Sequence, residues 1–266
     1  MKLHTTGALA RSALLSAALL SAALLALPSA RAMGQSVGDL MTQANAEYDA
    51  RNASAALRDY DKVLSSDPRN YEALWRASRA AVDLGEFDAN EAERNTYFKT
   101  ASERARLAVQ VNPNDAEGHF SLARALGREA QTLGPRDRVK YAKEIRAQAQ
   151  ECLRLNSTHA GCDHVMGVWN AEVMRLNGFT RMIARNFLGG AVFSEASWPN
   201  AERYMVESVK NDPRRVVHRL DLARVYRDEG KTAQARTQYQ AVLSGETIDY
   251  NDPHYKEQAA SELKKL

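Results

Sequence analysis

Four side chains that could bind a metal ion or form a disulfide lie close together in the middle of the chain. They are Cys152, His159, Cys162 and His164, and the chain has no cysteine besides these two. Two thiolates and two imidazoles are donors that zinc accepts in a tetrahedral site, but their spacing here matches no established zinc finger. The alternatives are a disulfide and two unpaired thiols. Because the N-terminus has the pattern of an export signal, which implies an oxidising compartment, the disulfide is favoured and no metal is predicted.

The predicted helices around the two cysteines bring them within reach of each other. Cys152 lies about one turn before a break in the helical pattern, and Cys162 lies in the first turn after it. If the two helices pack antiparallel, the Cα atoms should approach to the ~4.4–6.8 Å that a disulfide requires.

The sequence has no pattern that indicates catalysis. It contains no glycine-rich phosphate loop and no His-Glu-x-x-His, which are the motifs of common nucleotide-binding and metalloprotease sites. Carboxylates are spread along predicted helices beside Lys and Arg, a pattern typical of solvated faces. We therefore predict a protein that is not an enzyme and needs no cofactor.

The break between the two cysteines is one of several similar helix boundaries. Leu153 and Leu155 end an apolar stripe, and the polar run at 156–158 competes with continuation of the helix. Apolar residues then return at spacings of three and four, which predicts a new helix. Other apolar helical faces end in the same way before Pro68, Pro113 and Pro213.

Residues at fixed distances before these boundaries, many of them small, indicate the fold. Positions twelve, eight and five residues before each boundary are Ala56, Tyr60 and Val63; Ala101, Ala105 and Ala108; Ile145, Ala149 and Cys152; and Ala201, Met205 and Ser208. Small residues at recurring helix positions let a paired helix approach closely. The chain therefore resembles the tetratricopeptide repeat, which implies an all-α helical-repeat solenoid of antiparallel helix pairs.

Predicted helices cover most of the chain after the N-terminal segment. Apolar spacing and helix-ending residues predict them at 38–50, 53–66, 70–84, 89–111, 115–132, 136–155, 160–177, 179–188, 198–210, 214–229, 231–243 and 252–265. This gives one repeat domain at 33–266 with four to five helix pairs and an insertion at 178–198. The bulky apolar residues of the insertion either pack on neighbouring helices, which we favour, or form a lid or exposed patch; they are Phe179, Met182, Ile183, Phe187, Leu188, Val192, Phe193 and Trp198.

A closer resemblance rests on a motif and the element that follows it. His164, Gly167 and Trp169 form a His-x-x-Gly-x-Trp pattern, followed about twenty residues later by Leu188-Gly189 and then by the repeat boundary at 201–213. From about residue 113 to 245 the chain resembles the tetratricopeptide-like domain of the regulator of microtubule dynamics family. The resemblance implies a helical interaction domain and does not by itself imply a microtubule role for an exported chain.

The N-terminal segment has the composition of a secretory signal peptide. Lys2 and Arg11 precede an apolar run at 12–27. A site of small residues follows this run and ends at Ala32. The run is shorter than the ~20 residues of a membrane-spanning helix, so we favour cleavage after Ala32 over an uncleaved anchor. The predicted location is the periplasm or the medium, with no membrane span left after cleavage.

Charge argues against a nucleic-acid partner. The full chain has a formal net charge of +3, and Lys2, Arg11 and Arg31 of the signal account for it. The mature chain would be neutral with interleaved signs, and it lacks the basic patch that nucleic acid requires.

A candidate binding groove follows from the repeat numbering. Trp75, Phe120, His164 and Leu220 occupy one position in four predicted first helices, and Arg79, Arg124, Val168 and Arg224 lie one turn later. Arginine pairs well with carboxylates and aromatic rings supply buried area, so this arrangement suits an acidic peptide or a terminal carboxylate. The alternative is that the aromatic residues belong to the core and the arginines to a solvated edge. The groove hypothesis expects Arg79→Ala with Arg124→Ala to leave folding intact and to weaken partner binding.

Taken together, these patterns predict a non-catalytic exported scaffold that binds a peptide or protein surface in its concave groove. The alternative is a structural or assembly subunit of a cell-envelope complex, in which the convex face or the ends matter more. The sequence does not indicate the identity of the partner or the oligomeric state.

Overall fold

Helices account for nearly all of the regular structure. The computed structural model describes residues 36–177, 182 and 191–266. Within them lie eleven α-helices: α1 (Val37–Asp49), α2 (Ala53–Ser66), α3 (Tyr71–Gly85), α4 (Glu91–Val111), α5 (Ala116–Glu129), α6 (Pro135–Leu155), α7 (Ala160–Arg175), α8 (Trp198–Asn211), α9 (Val216–Asp228), α10 (Thr232–Ser244) and α11 (Asp252–Leu263). Short 3-10 turns cover Ala130–Thr132 and Ala191–Glu195. The described part of the chain contains no strand, which confirms the predicted all-α class.

Helices α1 to α10 form five successive pairs, in which each odd-numbered helix packs on the helix that follows it. Four boundaries between pairs share one backbone geometry. Asp67, Asn112, Asn156 and Asp212 follow the last residues of α2, α4, α6 and α8, with φ between −134° and −142° and ψ between 84° and 95°. The boundary after α6 adopts this geometry although Ser157 replaces proline there. A proline follows the second helix at three of these boundaries, but proline is not required to form one.

The positions singled out by their spacing before each boundary are buried in the structure. All twelve are at most 9% exposed, and most are fully buried. The residue five before the boundary also supplies the carbonyl that accepts the last helical hydrogen bond, as Val63 does from Asp67 and Cys152 does from Asn156. A fifth set, Ala235, Tyr239 and Val242, is fully buried in α10 and has the same spacing counted back from Thr247. The predicted helix at 231–243 covers this fifth set, although no proline follows it.

Each residue of the His-x-x-Gly-x-Trp motif in α7 contacts a different neighbour. His164 Nε2 lies 2.8 Å from Asp221 Oδ2 in α9. A Cβ on Gly167 would lie 2.7 Å from Met205 Cγ, so the close packing of α7 on α8 requires glycine here. Trp169 donates from its indole nitrogen to the carbonyl of Ala142 in α6, at 2.8 Å. The motif therefore joins the fourth helix pair to the pairs on either side.

The segment predicted as an insertion is described only in part. The predicted helix at 179–188 lies outside the described residues apart from Met182, whose side chain is exposed. Phe193 is buried against Trp169, with ring centroids 5.9 Å apart. Trp198 packs against the cluster around Met205. The described aromatic residues of this segment therefore pack on neighbouring helices.

Among the described residues, no helix combines the length and apolar character needed to cross a bilayer. The segment predicted as a signal peptide, residues 1–32, lies outside them.

Candidate binding surface

Polar contacts connect the first helices of successive pairs. Asn45 in α1 donates to Glu72 in α3, and Tyr48 in α1 donates to Asp83 in α3. Further contacts join α3 to α5 and α7 to α9. We call the side of the array formed by α1, α3, α5, α7 and α9 the inner face. On α3, four charged residues at helical spacing form one stripe along it: Glu72, Arg76, Arg79 and Asp83.

Arg79 lies between two aromatic rings on the inner face. Its guanidinium carbon is 4.4 Å from the ring centroid of Trp75 in its own helix and 4.6 Å from that of Phe120 in α5. The guanidinium also forms an ion pair with Glu117, and His159 Nε2 lies 3.5 Å from the same carboxylate. Burial acts to raise the pKa of Glu117, but the hydrogen bond from His159 and the charge of Arg79 outweigh it and lower the pKa to about 2. The structure thus brings three predicted groove residues, Trp75, Arg79 and Phe120, into one cluster.

Arg124 forms a second cluster with Asp83 of α3 and with Glu86, the residue that follows α3. Its guanidinium is 2.6 Å from Asp83 Oδ1 and 3.7 Å from Glu86 Oε2. Arg128, one turn later in α5, also pairs with Glu86. Burial acts to lower the pKa of Arg124, but the charges of Asp83 and Glu86 outweigh it, so the pKa stays well above its usual range. Arg124 is therefore a charged link between the second and third pairs.

His164 and Arg224, two further predicted groove residues, both contact Asp221. Asp221 in α9 accepts from Arg224, at 2.9 Å, and contacts His164 in α7 at 2.8 Å. Arg224 also pairs with Glu262 in α11, at 2.6 Å. The ring of His164 stacks on that of His218, with centroids 4.8 Å apart. This third cluster connects the fourth pair, the fifth pair and the last helix.

These contacts correct one part of the groove hypothesis. Arg79, Arg124 and Arg224 each have a carboxylate partner within the chain, so their guanidinium groups are not free to receive a carboxylate from an acidic peptide. Substitution of Arg79 and Arg124 should therefore disturb contacts between repeats, contrary to the expectation that folding would be unaffected. Leu220, from the same repeat numbering, is fully buried in the core.

Sequence reasoning missed the acidic partners of these arginines. They are Asp83, Glu86, Glu117, Asp221 and Glu262. A partial signal was present, because Asp83 is four residues after Arg79 and so lies on the same stripe of α3. The repeat numbering did not give the pairing between helices.

A second missed feature is a segment of the chain itself on the inner face. Residues 246–255, which we call the return segment, connect α10 to α11 and enter the first turn of α11. Arg51, just after α1, donates to the carbonyl of Thr247 at 3.0 Å. Asn251 donates to the carbonyl of Asp83 in α3 at 2.9 Å. The inner face thus already holds a stretch of the chain's own polypeptide at one end, beside the turn after α1 and the last turn of α3.

The cysteines lie at the junction of the third and fourth pairs. Cys152 and Cys162 are joined in a disulfide, with Cα atoms 6.3 Å apart, and both are fully buried. His159 precedes α7, and its Nδ1 accepts from the backbone N–H of Cys162 at 3.1 Å as a helix cap. Within the described part of the chain, these three side chains form the one group close enough to hold a metal ion together. The sulfur atoms are used by the disulfide and the imidazole by the cap, so this arrangement does not favour a metal.

A comparison with protein families identifies one match over most of the chain. The model of the family described as "Regulator of microtubule dynamics protein 1-3" matches residues 40–266. This match extends well beyond the stretch of about 113–245 on which the resemblance was first based.

Individual relatives match over shorter stretches. "Regulator of microtubule dynamics protein 1" of Bos taurus is 26% identical over 129 residues, which is 47% of this chain and 41% of that protein. "Regulator of microtubule dynamics protein 3" of Xenopus laevis is 25% identical over 124 residues, which is 47% of this chain and 26% of that protein. The chain therefore spans less than half of the length of these relatives.

A solved structure shares the fold. A thermophilic TPR protein of Thermus thermophilus superimposes with a TM-score of 0.59 at 19% identity, and the alignment covers 86% of this chain and all of that one. At this identity the likeness establishes the tetratricopeptide-like helical fold and nothing about partners.

Proposed function

This chain belongs to the regulator of microtubule dynamics family, and we propose that it is a non-catalytic scaffold that binds a peptide or protein segment along its inner face. The tetratricopeptide-like fold suits protein interaction, because stacked helix pairs present one continuous surface. The chain spans only part of its relatives, so what it shares with them is the helical-repeat domain.

The observation that carries the proposal is the way the inner face holds the return segment. Arg51 donates to the backbone carbonyl of Thr247 in the segment, and recognition of backbone groups is a common mode of peptide binding. Asn251 of the segment donates in the other direction, to the backbone carbonyl of Asp83 in α3. Glu72, Arg76, Arg79 and Glu117 line the neighbouring stretch of the face and are all partly exposed. This stretch is the region proposed to contact a partner.

We further propose that residues 1–32 direct export and are removed after Ala32, so that the mature scaffold acts in the periplasm or outside the cell. The support is the pattern of Lys2 and Arg11, an apolar run and a small-residue site. The family match begins at residue 40, after this segment.

The experiment is capture of partners from the native source with full-length protein, comparing two matched variants. Arg76→Ala removes an inner-face arginine that pairs with Glu72, its side chain being 27% exposed. Arg104→Ala removes an arginine of α4 that pairs with Asp61 of α2, on the second helices, with a 20% exposed side chain. Both variants lose one partly exposed ion pair, so they should lose similar stability.

The proposal expects a stoichiometric protein partner whose recovery falls at least fivefold with Arg76→Ala and stays within twofold of wild type with Arg104→Ala. If recovery falls only with Arg104→Ala, the second helices of the pairs make the contact. The alternative of an assembly subunit is then favoured. Equal recovery with both variants and the wild type would also contradict inner-face binding.

A further inference from the structure

The return segment makes both polar and aromatic contacts with the beginning of the repeat array. Besides the bonds from Arg51 and Asn251, Tyr255 donates its hydroxyl to Glu86 Oε1 at 2.7 Å. The ring of His254 stacks on Phe87 at a centroid distance of 4.5 Å, and the ring of Tyr255 meets Phe87 edge-on at 5.5 Å. Residues near the end of the chain thus pack on the end of α3.

A turn that is held by hydrogen bonds positions these side chains. The Asp252 carboxylate is fully buried and accepts from the backbone N–H groups of Ile248 and Asp249, at 2.7 and 2.8 Å. The Asp249 side chain in turn pairs with Arg215, just before α9. The receiving surface is equally ordered, because Arg124 and Arg128 hold Asp83 and Glu86 in place. Both sides of the contact are therefore preorganised.

The contact is nevertheless incomplete. Asn251 is 3% exposed, and its side-chain oxygen has no hydrogen-bond partner among the described residues. A cavity of about 220 Å³ lies beside it, lined by Asp83, Phe87, Tyr97, Tyr250, Asn251 and His254. A buried acceptor without a partner costs free energy, so this contact is weaker than a fully satisfied one. The return segment can therefore be displaced at a lower cost.

We propose that the return segment is an internal ligand of the inner face, and that the partner is a peptide of the same chemistry that displaces it. Such a peptide has a side-chain amide and a tyrosine four residues later, like Asn251 and Tyr255. This inference rests on the proposed function, since it names the kind of partner that the inner face takes. It also implies that binding is coupled to opening of the contact between α3 and α11.

Tethering explains why the segment would compete effectively. The folded repeats hold the segment beside its binding surface, so its binding is intramolecular and weak contacts are enough to keep the surface occupied. The apparent affinity for an external peptide is then reduced by the fraction of molecules in which the surface is free. Weakening the internal contact should increase the apparent affinity by the same factor.

The test uses the full chain and a fluorescently labelled synthetic peptide of residues 246–257. Asn251→Ala with Tyr255→Phe removes two polar contacts of the return segment while keeping the aromatic ring that packs against the core. The matched control is Ser261→Ala, which removes a hydroxyl from an exposed position of α11 outside the return segment. Fluorescence anisotropy gives the affinity for the peptide, and hydrogen–deuterium exchange reports whether residues 246–255 have been released.

The proposal expects faster exchange of residues 246–255 in the double variant and an apparent affinity for the peptide about tenfold higher than in wild type. The control should match wild type in both measurements, and a peptide carrying the same Asn→Ala and Tyr→Phe changes should bind the double variant at least tenfold more weakly. If the double variant loses its cooperative thermal transition, Tyr255→Phe alone is used in the same assays.

Two results would overturn the proposal. The first is release of the segment with no gain in peptide binding, because the surface would then have no affinity of its own for this chemistry. The second is unchanged protection of the segment in the variant, because the polar contacts would then not hold it. Neither result depends on capture of a partner from the native source, so this inference and the proposed function can fail separately.

Discussion

The side-chain amide of Asn251 donates a hydrogen bond of 2.9 Å to the backbone carbonyl of Asp83, which precedes it by 168 positions in the chain. In an open solenoid each repeat contacts only its neighbours, and stability is close to a sum of local terms. Here the C-terminal part of the array contacts the second pair as well. Separation of the two ends therefore requires loss of a specific buried contact.

The Arg124 link between the second and third pairs should be important for folding. Arg124→Ala leaves Asp83 and Glu86 close together without one of their counter-charges. We expect a loss of about 2–4 kcal/mol in the free energy of unfolding, below the range for fully buried pairs because the Arg124 side chain is 23% exposed. Urea denaturation checks this. Lys140→Ala, which removes an exposed pair with Asp137, should cost less than ~0.5 kcal/mol, and equal losses in the two variants would contradict the prediction.

The disulfide between Cys152 and Cys162 should stabilise the protein by restricting the unfolded chain. The sequence separation of 10 residues corresponds to about 2–3 kcal/mol of loop entropy. Cys152→Ala with Cys162→Ala should lower the free energy of unfolding by that amount, and a reducing agent should lower that of the wild type similarly. Titration of thiols in denatured, unreduced protein should find none. Two reactive thiols per chain would show that the cysteines are unpaired.

Asp163 should make the protein less stable as the pH rises. Burial raises the pKa of Asp163 to about 6, although Asn211 donates to its carboxylate. The raised pKa means that ionisation opposes folding, so the cost is absent below about pH 4 and develops between pH 4 and 6. Asp163→Asn should therefore gain roughly 2–3 kcal/mol over wild type at pH 7 and little at pH 4. Urea denaturation at the two pH values checks this, and a gain of the same size at both would contradict the assignment.

The N-terminus of the exported protein should be Met33. Cleavage after Ala32 follows from the small residues at 30 and 32 and from the short apolar run before them. Mass spectrometry of protein recovered from the native source measures the first residue directly. An intact Met1 on protein recovered outside the cytoplasm would show that the segment is retained as an anchor.

The features that depend on neighbouring residues could be predicted from the sequence. Apolar spacing and the prolines at 68, 113 and 213 located helices and boundaries because helix formation and termination are local events. The spacing of Ala56, Tyr60 and Val63 marked a buried stripe for the same reason, since residues one or two turns apart share a helix face. The proximity of Cys152 and Cys162 could also be predicted, because a single turn separates their helices.

The pairing of charges between helices and the occupied part of the inner face could not be predicted from the sequence, because both depend on how the helix pairs pack. The sequence pattern predicted that Arg79 was free to bind a partner, but Arg79 pairs with Glu117, which lies 38 positions away on another helix. Arg124 likewise pairs with Asp83, which is 41 positions away. Such pairings depend on the angle and offset at which successive helix pairs stack, which arise from the packing of many side chains at once. The contact of Asn251 with Asp83 depends on how five successive helix pairs stack on one another. No local pattern in the sequence determines that stacking.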